Sequence, residues 1–92
     1  MTDLYTQTPS QIIMYGTSWC PDCHRAHRVF SDMNVEYLDI DIEKDEKAAQ
    51  FVRQLNNGNQ VVPTIIFPDG IKMTEPDRQT LSSKLVEYQK AA

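Results

Sequence analysis

The sequence predicts a single α/β domain with the element order βαβαββα, in which a mixed four-stranded sheet is flanked by three helices. Short apolar runs alternate with stretches whose apolar residues recur every three or four positions. Asp69-Gly70, between the last two apolar runs, is typical of a tight hairpin. Strands separated by helices predict a parallel pair joined by a right-handed crossover, and the hairpin adds antiparallel strands. The length of 92 residues fits one domain.

The first half of the chain supplies a strand, a helix and a second strand. Residues 1–10 are predicted to be a polar tail, and residues 11–92 the domain, beginning with a strand at 12–15. Residues 16–19 form a loop, and Pro21 suits the first position of the helix that follows. Asn34 is expected to end this helix. Residues 36–42 alternate between apolar and polar, which predicts a strand with one buried face.

The second half predicts a helix, a hairpin and a final helix. Residues 45–55 have helical spacing, and the polar residues 56–59 break the chain. The β-branched run at 61–67 predicts a strand that turns at Asp69-Gly70 into residues 71–73. The last helix is expected over residues 76–92. The acidic run at residues 39–46 is interpreted as solvated and is assigned no role.

The two cysteines of the chain, Cys20 and Cys23, flank the start of the first predicted helix. A helix N-terminus carries unpaired N–H groups and a partial positive charge, so the pKa of the Cys20 thiol is expected to fall. Cys20 would then be a nucleophile near neutral pH. Cys23 is close enough in sequence to attack a mixed disulfide formed on Cys20. The pair therefore predicts thiol–disulfide exchange.

Composition narrows the function classes. The N-terminal residues lack the pattern of a secretory signal, and no run of about 18 apolar residues occurs, so we expect a cytoplasmic protein. Closely spaced cysteines in that compartment favour redox work or metal binding over a structural disulfide. The net charge of −4 does not supply the excess of positive charge that binding to nucleic acid or an anionic membrane requires. We therefore expect a monomer that binds neither nucleic acid nor a membrane.

Three features carry a resemblance to a known family. The motif Trp19-Cys20-Pro21-Asp22-Cys23, the Val62-Pro63-Thr64 segment and the Asp69-Gly70 hairpin resemble the glutaredoxin branch of the thioredoxin superfamily over residues 12–88. Residues 56–64 and 74–76 look most like mycoredoxins, and NrdH-redoxins are near neighbours. The resemblance implies an oxidoreductase that reduces disulfides or protein mixed disulfides with low-molecular-weight thiols. Cys20 would be the nucleophile and Cys23 the resolving thiol.

The resemblance also implies partners and a substrate groove. No tightly bound cofactor is expected, and mycothiol, bacillithiol or glutathione would be the co-substrate. Because the chain has no dinucleotide-binding fingerprint, a flavin-dependent disulfide reductase must supply electrons, directly or through the small thiol. The groove residues implied are Trp19, Pro21, Asp22, Val62, Pro63, Thr64 and Thr74.

The bond before Pro63 is cis in this family, which exposes the backbone of Val62 to a substrate chain that adds as a strand. The alternative is a trans Pro63 that starts an edge strand. Trp19 would shield the nucleophile and leave an apolar rim for partners.

Two positions depart from ordinary glutaredoxins. Residues 73–77 replace the usual Gly-Gly pair, and Glu75 and Asp77 bring negative charge to the place where a glutathione carboxylate would lie. Thr74 is expected either to contact the small thiol or to cap the last helix. Asp22 stands where an aromatic residue is usual, and its charge would oppose a Cys20 thiolate. It could instead be a solvated acid of the first helical turn, or select cationic substrates.

Other function classes use the same region of the chain. Cys20, Cys23, His24 and His27 could form a zinc set, or two chains could share an iron–sulfur cluster. A third alternative is a non-catalytic adaptor that binds partners only through the exposed backbone of Val62. Its function would not require Cys20. The basic cluster of His24, Arg25, His27 and Arg28 is interpreted as a solvated helix face rather than an anion-steering patch.

Overall fold

Seven secondary-structure elements follow one another in the computed structural model, which describes residues 5–91. They are β1 (Ile13–Gly16), α1 (Pro21–Asp32), β2 (Leu38–Asp41), α2 (Glu46–Leu55), β3 (Thr64–Ile66), β4 (Lys72–Thr74) and α3 (Arg78–Ala91). The predicted order βαβαββα is confirmed. Within residues 5–91, no helix combines the length and the apolar character needed to cross a membrane.

The four strands form one mixed sheet in the order β2-β1-β3-β4. β1 is parallel to β2, with Tyr15 opposite Ile40, and antiparallel to β3, with Tyr15 opposite Thr64. β3 and β4 are antiparallel. The predicted parallel pair and antiparallel hairpin are therefore both present. The loop that leaves β1 at its carboxyl end leads directly into α1.

Helices cover both faces of β1, and every β1 residue is buried. Alternation along the strand sends Ile12 and Met14 toward α1 and α3, and Ile13 and Tyr15 toward α2. A strand covered on both faces is expected to be apolar throughout, as this one is. The core on either side of the sheet holds β1, and hence the start of the loop that follows it, in place.

The caps of α1 and α3 set the limits of the two helices nearest the cysteines. Asn34, with φ of 58°, follows the end of α1 in the left-handed region, as Asn commonly does after a helix. α3 begins at Arg78 rather than at the predicted residue 76, because the Asp77 carboxylate accepts the Thr80 N–H at 2.7 Å. The alternative that Thr74 caps this helix is therefore wrong, since Thr74 ends β4.

Two segments outside the regular elements differ from the sequence-based expectation. Residues 61–63, predicted as strand, form a turn before β3, where Pro63 has no N–H for the sheet. The predicted polar tail is described from Tyr5 onward, and this part contacts the domain. The Tyr5 hydroxyl donates to the Asp45 carboxylate at 2.9 Å, and its ring meets that of Phe51 edge-on at 6.4 Å.

Candidate active site

Cys20 and Cys23 lie at the start of α1, where the expected helix N-terminus is present. Cys20 is the N-cap residue, and Pro21 takes the first helical position. The Cys23 backbone N–H donates to the Cys20 sulfur at 3.1 Å, so this sulfur receives one of the unpaired donors of the helix end. Cys20 is 4% exposed and Cys23 fully buried, and both are free thiols. Cys20 is therefore the sulfur that a substrate reaches first.

The environment of Cys23 keeps it protonated at neutral pH. The pKa of the Cys23 thiol is raised to about 12, chiefly because the group is buried and next because of a side-chain hydrogen bond with Cys20. The charges of Cys20 and Asp39 act in the same direction, while a backbone hydrogen bond with Thr17 opposes them. The Cys23 N–H donates to the Cys20 sulfur, while the raised pKa disfavours a thiolate on Cys23 itself.

Gly16 makes room for the buried sulfur. A Cβ at this position would lie 2.8 Å from Cys23 Sγ. Contacts between carbon atoms are most favourable at about 3.5–4.0 Å, and sulfur is larger than carbon. The need for glycine here was missed at the level of sequence. Its one signal in the sequence is a glycine directly after the apolar residues 12–15 and four residues before Cys20.

The second wall of the groove is the Val62–Pro63 segment, whose peptide bond is cis as the resemblance implies. The alternative of a trans Pro63 is wrong. The Val62 carbonyl oxygen lies 3.8 Å from Cys20 Sγ, which places this backbone against the nucleophile. The Pro63 carbonyl oxygen accepts the Glu75 N–H at 3.0 Å, so the end of β4 is fastened to the same segment.

Thr64 and Thr74 pair across β3 and β4 but differ in access. Thr74 is exposed and precedes Glu75, whose N–H donates to the Pro63 carbonyl oxygen. Thr64 is fully buried, and its hydroxyl donates to the Val61 carbonyl oxygen at 2.8 Å. The expectation that Thr64 contacts substrate is corrected in this respect: its side chain holds the loop before β3 together and presents no surface.

Asp22 and Arg25 form an ion pair of 3.0 Å on the first turn of α1. The Arg25 guanidinium also donates to the Pro76 carbonyl oxygen at 3.4 Å, and its Nε is buried without a partner. Arg25 therefore connects the cysteine turn with the turn before α3. The charge of Asp22, expected to oppose a Cys20 thiolate, has a compensating cation beside it.

The two histidines of the basic cluster on α1 also have partners. His24 Nε2 lies 2.7 Å from the Ser18 carbonyl oxygen, and His27 contacts the Tyr37 hydroxyl through Nδ1 and Asp39 at 3.6 Å through Nε2. His24 and Arg28 are exposed, as expected of a solvated face, whereas Arg25 and His27 are half-buried against other elements. A cleft of about 260 Å³ lies beside the two rings. Its lining residues are Gly16, Thr17, Ser18, His24, His27, Asp39 and Asp41.

The part of the chain that the structure describes contains no group of three or more His, Cys, Asp or Glu residues placed to hold a metal ion. Each imidazole of the proposed zinc set instead contacts oxygen atoms of other residues. Two cysteines and two histidines are donors that zinc accepts, but the arrangement of these four side chains does not fit a zinc ion.

Trp19 lies at the mouth of the site with 64% of its surface exposed. Its indole Nε1–H donates to Glu43 Oε2 at 2.7 Å. Glu43 belongs to the acidic run that was assigned no role, and that interpretation is wrong for this residue. Nothing in the local sequence indicates the contact, because the two residues are 24 positions apart.

A Cys-x-x-Cys pair at a helix N-terminus, facing a cis-proline on a mixed sheet, defines a thiol–disulfide oxidoreductase of thioredoxin-like fold. The chain belongs to the glutaredoxin family, whose family model matches residues 12–70. A glutaredoxin-type protein of Mycobacterium tuberculosis is 38% identical over 76 residues, covering 83% of this chain and 90% of the relative. Mycoredoxin 1 of Corynebacterium glutamicum is 37% identical over 67 residues, covering 73% and 82%.

Solved structures share the fold at lower identity. NrdH-redoxin of Escherichia coli superposes with a TM-score of 0.68 at 19% identity, covering 79% of this chain and 92% of that protein. Wheat glutaredoxin superposes with a TM-score of 0.71 at 16% identity, covering 94% and 85%. These likenesses confirm the predicted fold class.

Proposed function

We propose that this oxidoreductase reduces mixed disulfides between proteins and a low-molecular-weight thiol, with Cys20 as nucleophile and Cys23 as resolving thiol. The observation that carries the proposal is the place of Cys20 at the N-terminus of α1, where its sulfur accepts the Cys23 N–H at 3.1 Å. The Val62 backbone lies on the other side of the same sulfur.

In the first step the Cys20 thiolate attacks one sulfur of the substrate disulfide. A Cys20–substrate S–S bond forms, the original S–S bond breaks, and the second sulfur leaves as a thiolate that takes a proton from solvent. A substrate chain lying along Val62 would pair with the Val62 backbone as an added strand. That pairing would align the substrate disulfide with Cys20.

In the second step Cys23 loses its proton and attacks the Cys20 sulfur, which releases the bound thiolate and leaves a Cys20–Cys23 disulfide. Once Cys20 is in a mixed disulfide, its negative charge is gone, which removes one cause of the raised Cys23 pKa. Burial remains the largest cause, so deprotonation of Cys23 is expected to be slow. A second small thiol can therefore compete to resolve the intermediate.

The internal disulfide must be returned to two thiols by an external two-electron donor. We propose a small thiol kept reduced by a flavin-dependent reductase, in a cytoplasmic setting. Mycothiol is favoured over glutathione, because mycoredoxin 1 is among the relatives and because Glu75 and Asp77 add negative charge near exposed Thr74. Bacillithiol is the remaining small thiol.

The second candidate is direct reduction by thioredoxin reductase in the manner of NrdH-redoxins. The observation that favours it is the occurrence of NrdH-redoxin among the similar folds. The two candidates differ in the electron donor and not in the chemistry at Cys20.

The experiment is a reduction assay on the oxidised protein. Each small thiol is supplied with its reductase and NADPH, thioredoxin reductase is supplied alone, and NADPH consumption is followed. We expect turnover with mycothiol and none with thioredoxin reductase alone. Turnover with thioredoxin reductase alone would replace the mycothiol proposal by the second candidate. A Cys20→Ser variant that still supported NADPH consumption when a mixed-disulfide substrate was supplied would refute both candidates, because both require Cys20 as the nucleophile.

A further inference from the structure

Trp19 is the single tryptophan of the chain and a large exposed side chain next to the nucleophile. An indole that is 64% exposed offers one face to a partner, because a residue that only packed in the core would be buried. Its edge is already occupied, since Nε1–H donates to Glu43 at 2.7 Å. The ring is therefore held in one orientation beside Cys20.

Glu43 is held by the backbone of the β2–α2 loop. Its own N–H donates to Asp41 Oδ1 at 2.9 Å, and the neighbouring Ile42 N–H donates to the Gly16 carbonyl oxygen at 3.0 Å. These bonds tie the loop to the ends of β1 and β2, the edge of the sheet from which the cysteine loop leaves. The backbone of Glu43 is thus fixed relative to the cysteine loop, and its carboxylate is held by the Trp19 indole.

Glu43 forms no ion pair within residues 5–91, and its side-chain partner is the neutral indole of Trp19. Asp22, the acid inside the cysteine motif, differs in this respect because it pairs with Arg25 at 3.0 Å. A carboxylate bound to the edge of an exposed indole also donates electron density to the ring, which strengthens its attraction for a cation.

We propose that Trp19 and Glu43 form a binding site for a basic side chain that flanks the disulfide of a polypeptide substrate. A lysine or arginine lying over the indole face would make a cation–π contact with Trp19 and a charge contact with Glu43. The net charge of −4 favours such a partner at longer range. The inference rests on the proposed function and names the class of polypeptide that it prefers.

The test compares three short peptides, each with one cysteine in a mixed disulfide with 2-mercaptoethanol. The cysteine is flanked on both sides by lysine, by uncharged norleucine or by glutamate, so the three differ in charge while the leaving thiol is the same. Reduced protein is mixed with each peptide, and the 2-mercaptoethanol released when Cys20 attacks the peptide sulfur is measured by chromatography after acid quenching. We expect the lysine peptide to react about threefold to tenfold faster than the norleucine peptide at low salt.

Two variants and a control assign the preference to its residues. Glu43→Gln keeps an oxygen acceptor for the indole and removes the charge, so the preference for lysine should fall to about twofold. Trp19→Leu removes the indole ring and should also lower the preference for the lysine peptide to about twofold. Glu46→Gln, which removes a nearby exposed acid that pairs with Arg53, should keep the wild-type preference. In about 1 M salt, where the Debye length is about 3 Å, the wild-type preference should shrink.

The outcomes separate this inference from the proposed function. Equal rates for the lysine and norleucine peptides, with both reduced by the wild-type protein, would overturn the basic-residue site and leave the disulfide chemistry intact. A preference that survives Glu43→Gln and Trp19→Leu would also overturn it. If the wild-type protein reduced none of the peptides, both the site and the proposed function would be wrong.

Discussion

Substitution of Gly16 by alanine tests how closely β1 is packed against the resolving cysteine. The new Cβ would lie 2.8 Å from Cys23 Sγ and 3.5 Å from Cys23 Cβ. The second distance is an ordinary contact, so the sulfur alone is in conflict. Because Cys23 is fully buried among core residues, its sulfur has little space into which it can move.

The magnitude follows from two opposing effects. Overpacking of a core typically costs about 1–3 kcal/mol of stability. Replacing glycine by alanine without strain contributes about 0.4–1 kcal/mol in the other direction, because the unfolded chain has less freedom to lose. We expect Gly16→Ala to lower the free energy of unfolding of the reduced protein by about 1–2 kcal/mol.

A double-mutant cycle with Cys23→Ala isolates the contact. Without the sulfur, Gly16→Ala should be neutral or slightly stabilising, so the two substitutions should show a coupling energy of about 1–3 kcal/mol. The measurement is urea unfolding of the reduced proteins followed by far-ultraviolet circular dichroism. A coupling energy below about 0.5 kcal/mol, the usual limit for independent sites, would refute the assigned contact.

Three further predictions concern charge and protonation. Since the pKa of Cys23 is raised to about 12, brief iodoacetamide treatment of the reduced protein at neutral pH should label Cys20 and leave Cys23 unmodified, as read by peptide mass spectrometry; equal labelling would contradict the assigned environment. Arg25→Gln removes the cation that pairs with Asp22, so alkylation of Cys20 should slow about twofold to fivefold, and adding Asp22→Asn should restore it; no change in rate would refute a role for the pair. The pKa of Asp77 is lowered by a backbone hydrogen bond from the first turn of α3, so its ionised form stabilises the folded state above the ordinary value of 3.8, and this contribution is lost as pH falls through the folded-state pKa. The wild-type protein should therefore have a higher urea midpoint than Asp77→Asn at pH 6, and the difference should vanish in strong acid; a difference independent of pH would contradict the assignment.

Local patterns in the sequence were sufficient for the order of elements and for the nucleophilic pair. The spacing of apolar residues shows which side of a helix or strand faces the core. It can be read from residues that are close together in the chain. The predicted first and last residues of the helices were less accurate where a capping contact determines the helix end. α3 begins two residues later than predicted because Asp77, rather than an earlier residue, binds the N–H groups of its first turn.

The acidic run at residues 39–46 shows why some site residues could not be recognised. Its residues have different roles: Glu43 binds Trp19, Asp45 caps α2, and Asp39 contacts His27. A run of acids is usually solvated, so its composition alone favours no role. Only the pairing of β2 beside β1 brings these carboxylates next to α1 and the cysteine loop.

The sequence by itself determined the α/β order, the helix that begins at the Cys20–Cys23 motif and the glutaredoxin character of the chain, since each depends on residues close together in the chain. The tertiary structure decided what surrounds the two sulfurs: Val62 is 42 positions from Cys20, and Pro76 is 51 positions from Arg25. Such contacts depend on how the sheet and helices pack, because packing brings together residues that no local spacing relates. The burial that keeps Cys23 protonated, and the need for a glycine beside it, exist only once that packing is complete.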